Sequence, residues 1–456
     1  MISLHYYLRR ALVAAFLGFL TTGLAQVAAT TAESIPTATN TVSQIDLPTV
    51  LRLAGAQNLD VQIARERLNE ANANRSSAIA QFFPWLSPGI AYHRRDGMAQ
   101  AVPAGTVTDT HLESYAPGGT FGAQWNLGDA IYQSLAAKQL VEASRHDLET
   151  RQLDSTTAAA QGYFDLVKAK SVAQVLDDTL HISEDYGKQV HQAVEAGIAF
   201  KGDELRVETQ TQNYRIALRQ ATESQQVASA NLAQLLHLDS TVELLPQNTD
   251  LLPLVLIPTN AALDSLVQQA LGARPELKQS RAFKSAASES KKGAVYGPMI
   301  PSLGAQVFVG AFGGGHDDGP SNFGASQDYA VGLSWRIGPG GLFDSGRINA
   351  TKARLAAAEL ADSKIRDAVI ANVVTGHNRV QSLREQMAWG ELKLANAQET
   401  LRLTRERKQF GVGIVLEDIQ AQQELARARS DYLNAIAEFN KAQYALSRAV
   451  GATATK

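Results

Sequence analysis

Apolar and small residues fall in a fixed rhythm over the last fifth of this chain. Val369, Val373, Gly376, Val380, Leu383, Met387, Gly390, Leu394, Ala397 and Leu401 recur at alternating steps of four and three, the seam of a coiled helix. After a glycine-containing stretch at Phe410–Gly413 the rhythm resumes at Ala421, Leu425, Ala428, Tyr432, Ala435, Phe439, Ala442, Leu446 and Ala449. Two such seams about one short bend predict an antiparallel helical hairpin. A helix from Phe343 to Lys408 would reach roughly 100 Å at about 1.5 Å per residue.

Elsewhere the period changes from helical to two. A helical segment is expected from Leu47 to about Ala80, and the chain then turns extended at Phe83-Pro84, where Leu86, Pro88, Ile90 and Tyr92 alternate with Trp85, Ser87, Gly89 and Ala91. A long Gly-, Pro-, Thr- and Asp-rich loop is expected from His93 to Gly119. In the next strand Phe121, Ala123, Trp125 and Leu127 face one way and Thr120, Gly122, Gln124 and Asn126 the other, so one face suits an apolar solvent and the other water. Helical patterning returns from Ile131 to about Ala193, with an elbow at Gly197 and a second helix from near Asp203 to Leu236.

After a proline-containing segment the programme repeats. Leu59-Asp60-Val61 matches Pro275-Glu276-Leu277, Pro84-Trp85-Leu86 matches Pro301-Ser302-Leu303, and Trp125 matches Trp335. In that last strand Tyr329, Val331, Leu333, Trp335 and Ile337 alternate with polar and small residues. Gly162, Leu166, Ala169, Ala173, Leu176 and Leu180 lie 214 positions before Gly376, Val380, Leu383, Met387, Gly390 and Leu394, and the same shift carries Gly197 to Gly411 and Asp203 to Glu417. The expected organisation is a signal peptide over 1–25, a flexible lead over 26–45, and a first repeat over 46–244 with strands near 84–94 and 118–128. A linker over 245–259, a second repeat over 260–451 with strands near 301–312 and 326–338, and a tail over 452–456 follow.

Charge and composition narrow the function. Arg9 and Arg10, the apolar run Ala11–Leu20 and the small residues near Gly23-Leu24-Ala25 read as a secretory signal, with a retained anchor helix as the weaker alternative because the apolar core is short for a span. The whole chain carries 42 basic and 45 acidic residues, net −3; removal of residues 1–25 takes two arginines and leaves 40 against 45, net −5. That balance offers no basic arm for nucleic acid. There is no cysteine, hence neither a disulfide nor a thiolate metal site. Beyond the signal no apolar run is long enough for a spanning helix, so entry into a membrane would have to use strands. The fold class expected is an α+β membrane protein. Its four strands per chain cannot close alone, and strands shared by several copies would make a common barrel: eight strands and a filled interior in a dimer, twelve with room for a lumen in a trimer.

The twofold repeat, Pro84-Trp85-Leu86 and Pro301-Ser302-Leu303 at the strand openings, the tryptophan strands and the run Gly411-Val-Gly-Ile-Val-Leu-Glu-Asp-Ile-Gln-Ala-Gln422 together resemble the TolC-like outer-membrane efflux proteins over nearly the whole mature chain. The resemblance implies a homotrimer with a twelve-stranded barrel in the outer membrane of a Gram-negative bacterium and a long periplasmic helical tunnel. It further implies an exit duct for a tripartite efflux pump or a type I secretion system, with an inner-membrane transporter and a periplasmic adaptor as partners. Family members close the tunnel tip just past the second elbow, which carries over to Glu417 and Gln420 here; Glu417 keeps the acid and Gln420 does not. The repeat-equivalent Asp203 and Arg206 would lie on the neighbouring hairpin, Arg206 pairing with an acid. Lys408 stands where the family often has a tyrosine linking hairpins. Gly197, Gly411 and Gly413 mark the elbows and tip.

Trp85, Trp125 and Trp335 are candidate interfacial aromatics, with ordinary strand packing as the alternative. His316, Asp317 and Asp318 fall in a Gly-rich outer loop rather than a metal site, and Asp177-Asp178 and Glu184-Asp185 read as a solvated or lumen-facing acidic surface. Gly338-Pro339-Gly340-Gly341 lacks the lysine of a phosphate loop and follows a strand. No cofactor is expected and no enzymatic activity. The rival reading is a periplasmic or surface coiled-coil adaptor or adhesin with a soluble β domain, against which the two strands with one apolar face argue; a hydrolase is further off, since no convergent acid/base pair appears.

Overall fold

The structure, a computed structural model, describes residues 42–452 apart from 101–106, 240–241, 317–322 and 410–413; of 96–100, 107–113, 315–316 and 408–409 it describes the backbone alone. The signal peptide, most of the lead, and Gly411 and Gly413 therefore lie outside the described residues.

Each half of the chain begins with two helices broken at a fixed point. In the first half, α1 (Leu47–Gln57) and α2 (Leu59–Ala80) meet at Asn58, whose side chain accepts from the Asp60 amide at 2.9 Å and caps α2. The pair in the second half, α5 (Leu263–Ala273) and α6 (Pro275–Tyr296), meet at Arg274, with Pro275 at the first helical position, where its missing N–H costs nothing. The long helices are α3 (Leu127–Glu195) with α4 (Lys201–Leu235), and α7 (Ser345–Gln409) with α8 (Val415–Val450). At 69 and 65 residues, α3 and α7 are each about 100 Å long.

The strands form two sheets. β2 (Trp85–Gln100), β3 (Val107–Trp125), β5 (Ser302–His316) and β6 (Gly324–Ser334) make a four-stranded antiparallel sheet in the order β2-β3-β5-β6. A small parallel pair, β1 (Val42–Ile45) on β4 (Glu243–Pro246), sits at the middle of the molecule. Three expectations are corrected here. The end of the flexible lead pairs with the junction between the first repeat and the linker, because each satisfies the other's backbone. The loop expected over 93–119 is largely strand, since Arg94 pairs with Tyr115 and Gly118 with Gly310; glycine there makes room, as the Phe308 ring lies where a Cβ on Gly118 or Gly310 would stand. The other strands end early: Leu127 starts α3, and Trp335 and Ile337 leave the β6 ladder for a bend with positive φ at Gly338, Gly340 and Phe343.

The core has two layers, of which the first joins the halves and the second lies within the second half. Val50, Ala54, Ala159, Phe164, Leu166, Leu232, Leu236, Leu244, Ile436 and Tyr444 form one buried cluster, and Leu266, Leu277, Val369, Val373, Val380, Leu383, Phe439, Leu446 and Val450 another. Each large side chain buried this way contributes about 1.5–3 kcal/mol. The seam expected on α7 and α8 is the one observed, and Gly376 and Gly390 let α8 approach until Leu446 and Tyr432 touch the α7 backbone. The buried amides of α8 tie down the segment between the repeats. Asn440 accepts from the Leu254 amide at 2.7 Å and donates to the Leu252 carbonyl at 2.9 Å, and Gln443 accepts from Ile257 at 3.0 Å.

The same region holds a half-buried ion network. Arg448 of α8 donates to Asp154 of α3 at 2.8 Å and to Glu276 of α6, with Arg274 3.7 Å from Glu276. Burial alone would raise the Glu276 carboxyl, but the hydrogen bond and charge of Arg448, then Arg274, outweigh it and hold it below the usual range. Below the sheet, Gly128 at the start of α3 packs so closely that a Cβ would collide with the Gly297 carbonyl.

Candidate functional site: the strand faces and the helical tip

Side chains directly opposite in an antiparallel sheet share a face, so the register sorts the four strands. On one face stand Leu86, Ile90 and Tyr92, then Phe121, Ala123 and Trp125, then Leu303, Ala305, Val307 and Val309, then Tyr329, Val331 and Leu333. The other carries Ser87, Gly89, Gln124, Gly122, Thr120, Gly304, Gln306, Asp328, Ala330 and Ser334, with Phe308 and Phe312 further along β5. Most large residues of the apolar face are exposed, Ile90 at 96% and Val331 at 76%, which water disfavours and lipid accommodates. The polar face encloses a concavity of about 600 Å³ touched by all four strands. The sheet thus curves around its polar side.

Trp125 belongs to the apolar face, but Trp85 does not: it pairs with Gln124 and stands on the polar face. Its place as an interfacial aromatic is therefore corrected, and the strand's own alternation is the reason. Trp335 lies past the end of β6, its Nε1 donating to the Met299 carbonyl at 3.2 Å, at the level where strands give way to helices.

At the other end of α3 and α7 the two hairpins touch. Tyr186 and Val190 of α3, Val207 of α4 and Ile419 of α8 form a small buried cluster. Beside it the Asp418 carboxylate accepts from Gln422 at 3.0 Å and lies close enough to the Tyr186 hydroxyl for its charge to act on it. Burial first, then the charge of Asp418, push the Tyr186 ionisation well above its ordinary value. Asp418 is 2% exposed, and its neighbour Glu417 pairs with Arg407 of α7 at 3.3 Å, closing its own hairpin. Gln420 is exposed. Arg206 reaches no neighbouring hairpin in this chain; it pairs with Asp203 on the same helix at 3.0 Å, because the i,i+3 spacing sets them side by side. Gly197 sits at φ +71 in the first elbow with open space around it. The Lys408 side chain and the elbow Phe410–Gly413 lie outside the described residues.

Sequence reasoning named Glu417 and missed Asp418, since an acid in the first turn of a helix ordinarily complements the dipole from the surface. The signal available was Ile419 beside it, an apolar position one step further round. Across the first elbow, His191 Nδ1 lies 2.9 Å from Glu204 and its Nε2 3.4 Å from Glu195, while Lys201 reaches Glu204 at 2.6 Å. The hydrogen bond to Glu204, then the charges of Glu195 and Glu204, raise the His191 ring above its usual value. Among the described residues no group of three His, Cys, Asp or Glu could hold a metal, and no helix is long and apolar enough to cross a membrane.

A curved sheet, apolar outside and polar inside, continued by a helical wall about 100 Å long, defines a protomer of a membrane channel. The sequence matches the outer membrane efflux protein family over residues 50–237 and 266–452, one match for each repeat, and the chain belongs to that family. It resides in the outer membrane with its helical part in the periplasm. Among solved structures it is similar to the Campylobacter jejuni CmeC outer membrane channel (TM-score 0.72, 16% identity, 89% of this chain and 85% of that one). It is similar also to the open state of the Neisseria gonorrhoeae MtrE outer membrane channel (0.68, 19%, 89% and 89%) and to the Vibrio cholerae outer membrane protein VceC (0.68, 16%, 89% and 96%). No curated protein matches in sequence.

Proposed function

We propose that three copies of this chain assemble into a gated exit duct, through which an inner-membrane transporter and a periplasmic adaptor expel cargo. The observation that carries this reading is that the wall ends on unpaired edges at both levels. β2 and β6 each pair on one side only, and in lipid an open edge strands backbone groups with no partner. Three copies supply twelve strands, enough for a lumen. Lower down, the helices run in the order α4-α3-α8-α7. The outermost two carry exposed apolar stripes: Leu205, Ile216 and Val227 on α4, and Trp389, Leu392 and Leu403 on α7.

The repeat supplies a template for the missing contact. Inside one chain, Ile419 of α8 packs on Tyr186 and Val190 of α3. The 214-residue shift turns this into Leu205 of one copy against Thr400 and Thr404 of the next, beside Leu403. Six hairpins then alternate around the tube and meet at a tip where Glu417, Gln420, the Asp203–Arg206 pair and Lys408 narrow the path. A ring of three carboxylates there favours cations. The duct does no chemistry; the partner transporter supplies the energy.

The test is extraction and reconstitution. The protein should leave outer membranes only in detergent, run as a heat-modifiable trimer, and conduct in planar bilayers with a cation preference that Glu417→Ala and Arg206→Ala alter. A monomer that never conducts would overturn the duct, and unchanged selectivity in both variants would overturn the gate assignment.

A further inference from the structure

Of the aromatic residues on the polar strand face, Phe308 covers Gly118 and Gly310 and Phe312 lies further along β5, whereas Trp85 stands at the helical end of the sheet. Trp85 opens β2 opposite Gln124 and is 59% exposed. It borders two cavities at once. One is the concavity of about 600 Å³ inside the sheet, where the adjoining strands carry Gly122, Gly304 and Gly332. The other, about 510 Å³, lies just below, where Gln81 just past α2, Gln124 of β3, Asn126 at the junction of β3 and α3, and Asp129 and Gln133 of α3 converge. Asp129 is the one charged side chain lining that second cavity. Arg347 and Arg354 line the next cavity down, about 450 Å³, which also includes Asp129. The carboxylate thus stands between the indole and the guanidinium groups.

Resting on the duct reading, we propose that Trp85 and Asp129 form a transit site for flat organic cations where the barrel meets the helical tube. An indole offers its π face to an aromatic ring or a cationic centre. A carboxylate beside it selects positive over negative solutes, and the surrounding amides replace part of the cargo's hydration. Glycine on the facing strands leaves the indole reachable from the lumen. Binding at such a site is weak by construction, as conduction demands that a solute enter and also leave. Three copies place three such sites around one lumen, so a cation released by one meets the next at the same level.

The experiment uses the full-length protein in detergent, with ethidium as the probe and fluorescence anisotropy as the readout. Tetraethylammonium and benzenesulfonate are the competitors. Ethidium should bind saturably, Trp85→Ala should weaken it by about fivefold or more, and Trp85→Phe should weaken it less. Asp129→Asn should lower affinity and flatten its salt dependence, whereas Trp125→Phe, on the apolar face, should leave ethidium affinity as in the unaltered protein. Benzenesulfonate should compete poorly, and tetraethylammonium less well than a planar cation. Ethidium affinity unchanged in Trp85→Ala, Trp85→Phe and Asp129→Asn would overturn the site, as would displacement by benzenesulfonate. Bilayer conductance recorded on the same preparation separates the two readings. A conducting channel indifferent to these residues refutes the transit site alone, and a protein that binds ethidium through Trp85 yet never conducts refutes the duct.

Discussion

Tyr186→Phe removes one oxygen from the contact between the two hairpins of a chain and leaves the ring to fill the space among Val190, Val207 and Ile419. What is lost is the interaction of a hydroxyl with the Asp418 carboxylate, itself 2% exposed. A fully formed hydrogen bond to a charged group is worth about 1.5–3 kcal/mol, which sets the upper bound here at a factor of roughly 10 to 150 per chain in the balance between touching and parted hairpins. If three tips part together, that bound adds up to about 4.5–9 kcal/mol. Carrying a two-state equilibrium from 1:99 to 99:1 takes about 5.5 kcal/mol, so the substitution is large enough to convert a mostly shut duct to a mostly open one. Single-channel recording at neutral pH reads this directly, as an open-state occupancy at least tenfold above that of the unaltered protein. The reasoning fails if Tyr186→Phe trimers, intact by heat modification, show the same occupancy, for then the contact at Tyr186 and Asp418 does not hold the tip.

Three other outcomes follow from other parts of the molecule. Arg448→Ala leaves Glu276 half-buried with only Arg274 near it and should cost about 3 kcal/mol, the low end of the range for breaking a buried pair; hydrogen exchange in the last turns of α8 should rise, and unchanged exchange would refute the network's role. The His191 link across the first elbow stabilises through a raised ring pKa. It is therefore at full strength below the unfolded value of about 6.5 and fades as pH climbs through the folded one. Amide protection over residues 191–204 should fall with rising pH beyond the ordinary exchange trend, and His191→Gln should abolish that extra slope. Val331→Lys places a charge on the apolar strand face and should cost about 2–4 kcal/mol near mid-bilayer, seen as a drop in trimer recovered from outer membranes, while Ala330→Lys on the polar face should be tolerated.

Regular features were legible in the sequence because one residue type repeats where one geometry repeats. The α7 and α8 seams, the duplication and the two-faced strands all rest on period alone. Strand ends were not legible at 93–119, where glycine, proline and aspartate look like a loop until β5 arrives and Phe308 needs the space that Gly118 leaves. Asp418 was hidden for a different reason: its burial depends on Tyr186, 232 positions earlier, and no local pattern reports a partner so distant. With Trp85 the alternation was readable and put it opposite Leu86; the expectation that tryptophan marks the lipid boundary outweighed a parity that the register bears out.

The uninterrupted length of α7 has a mechanical side. Its 65 residues contain no proline, and glycine occurs within it only at Gly346, Gly376 and Gly390, the last two clasped by α8. A rod about 97 Å long, held at its middle, turns a tilt of 1° into a displacement of about 0.8 Å at each end. Small rigid rotations at one end, each within the slack of ordinary side-chain packing, thus become travel approaching an ångström at the other, about a fulcrum set by the band of core and buried amides at the middle.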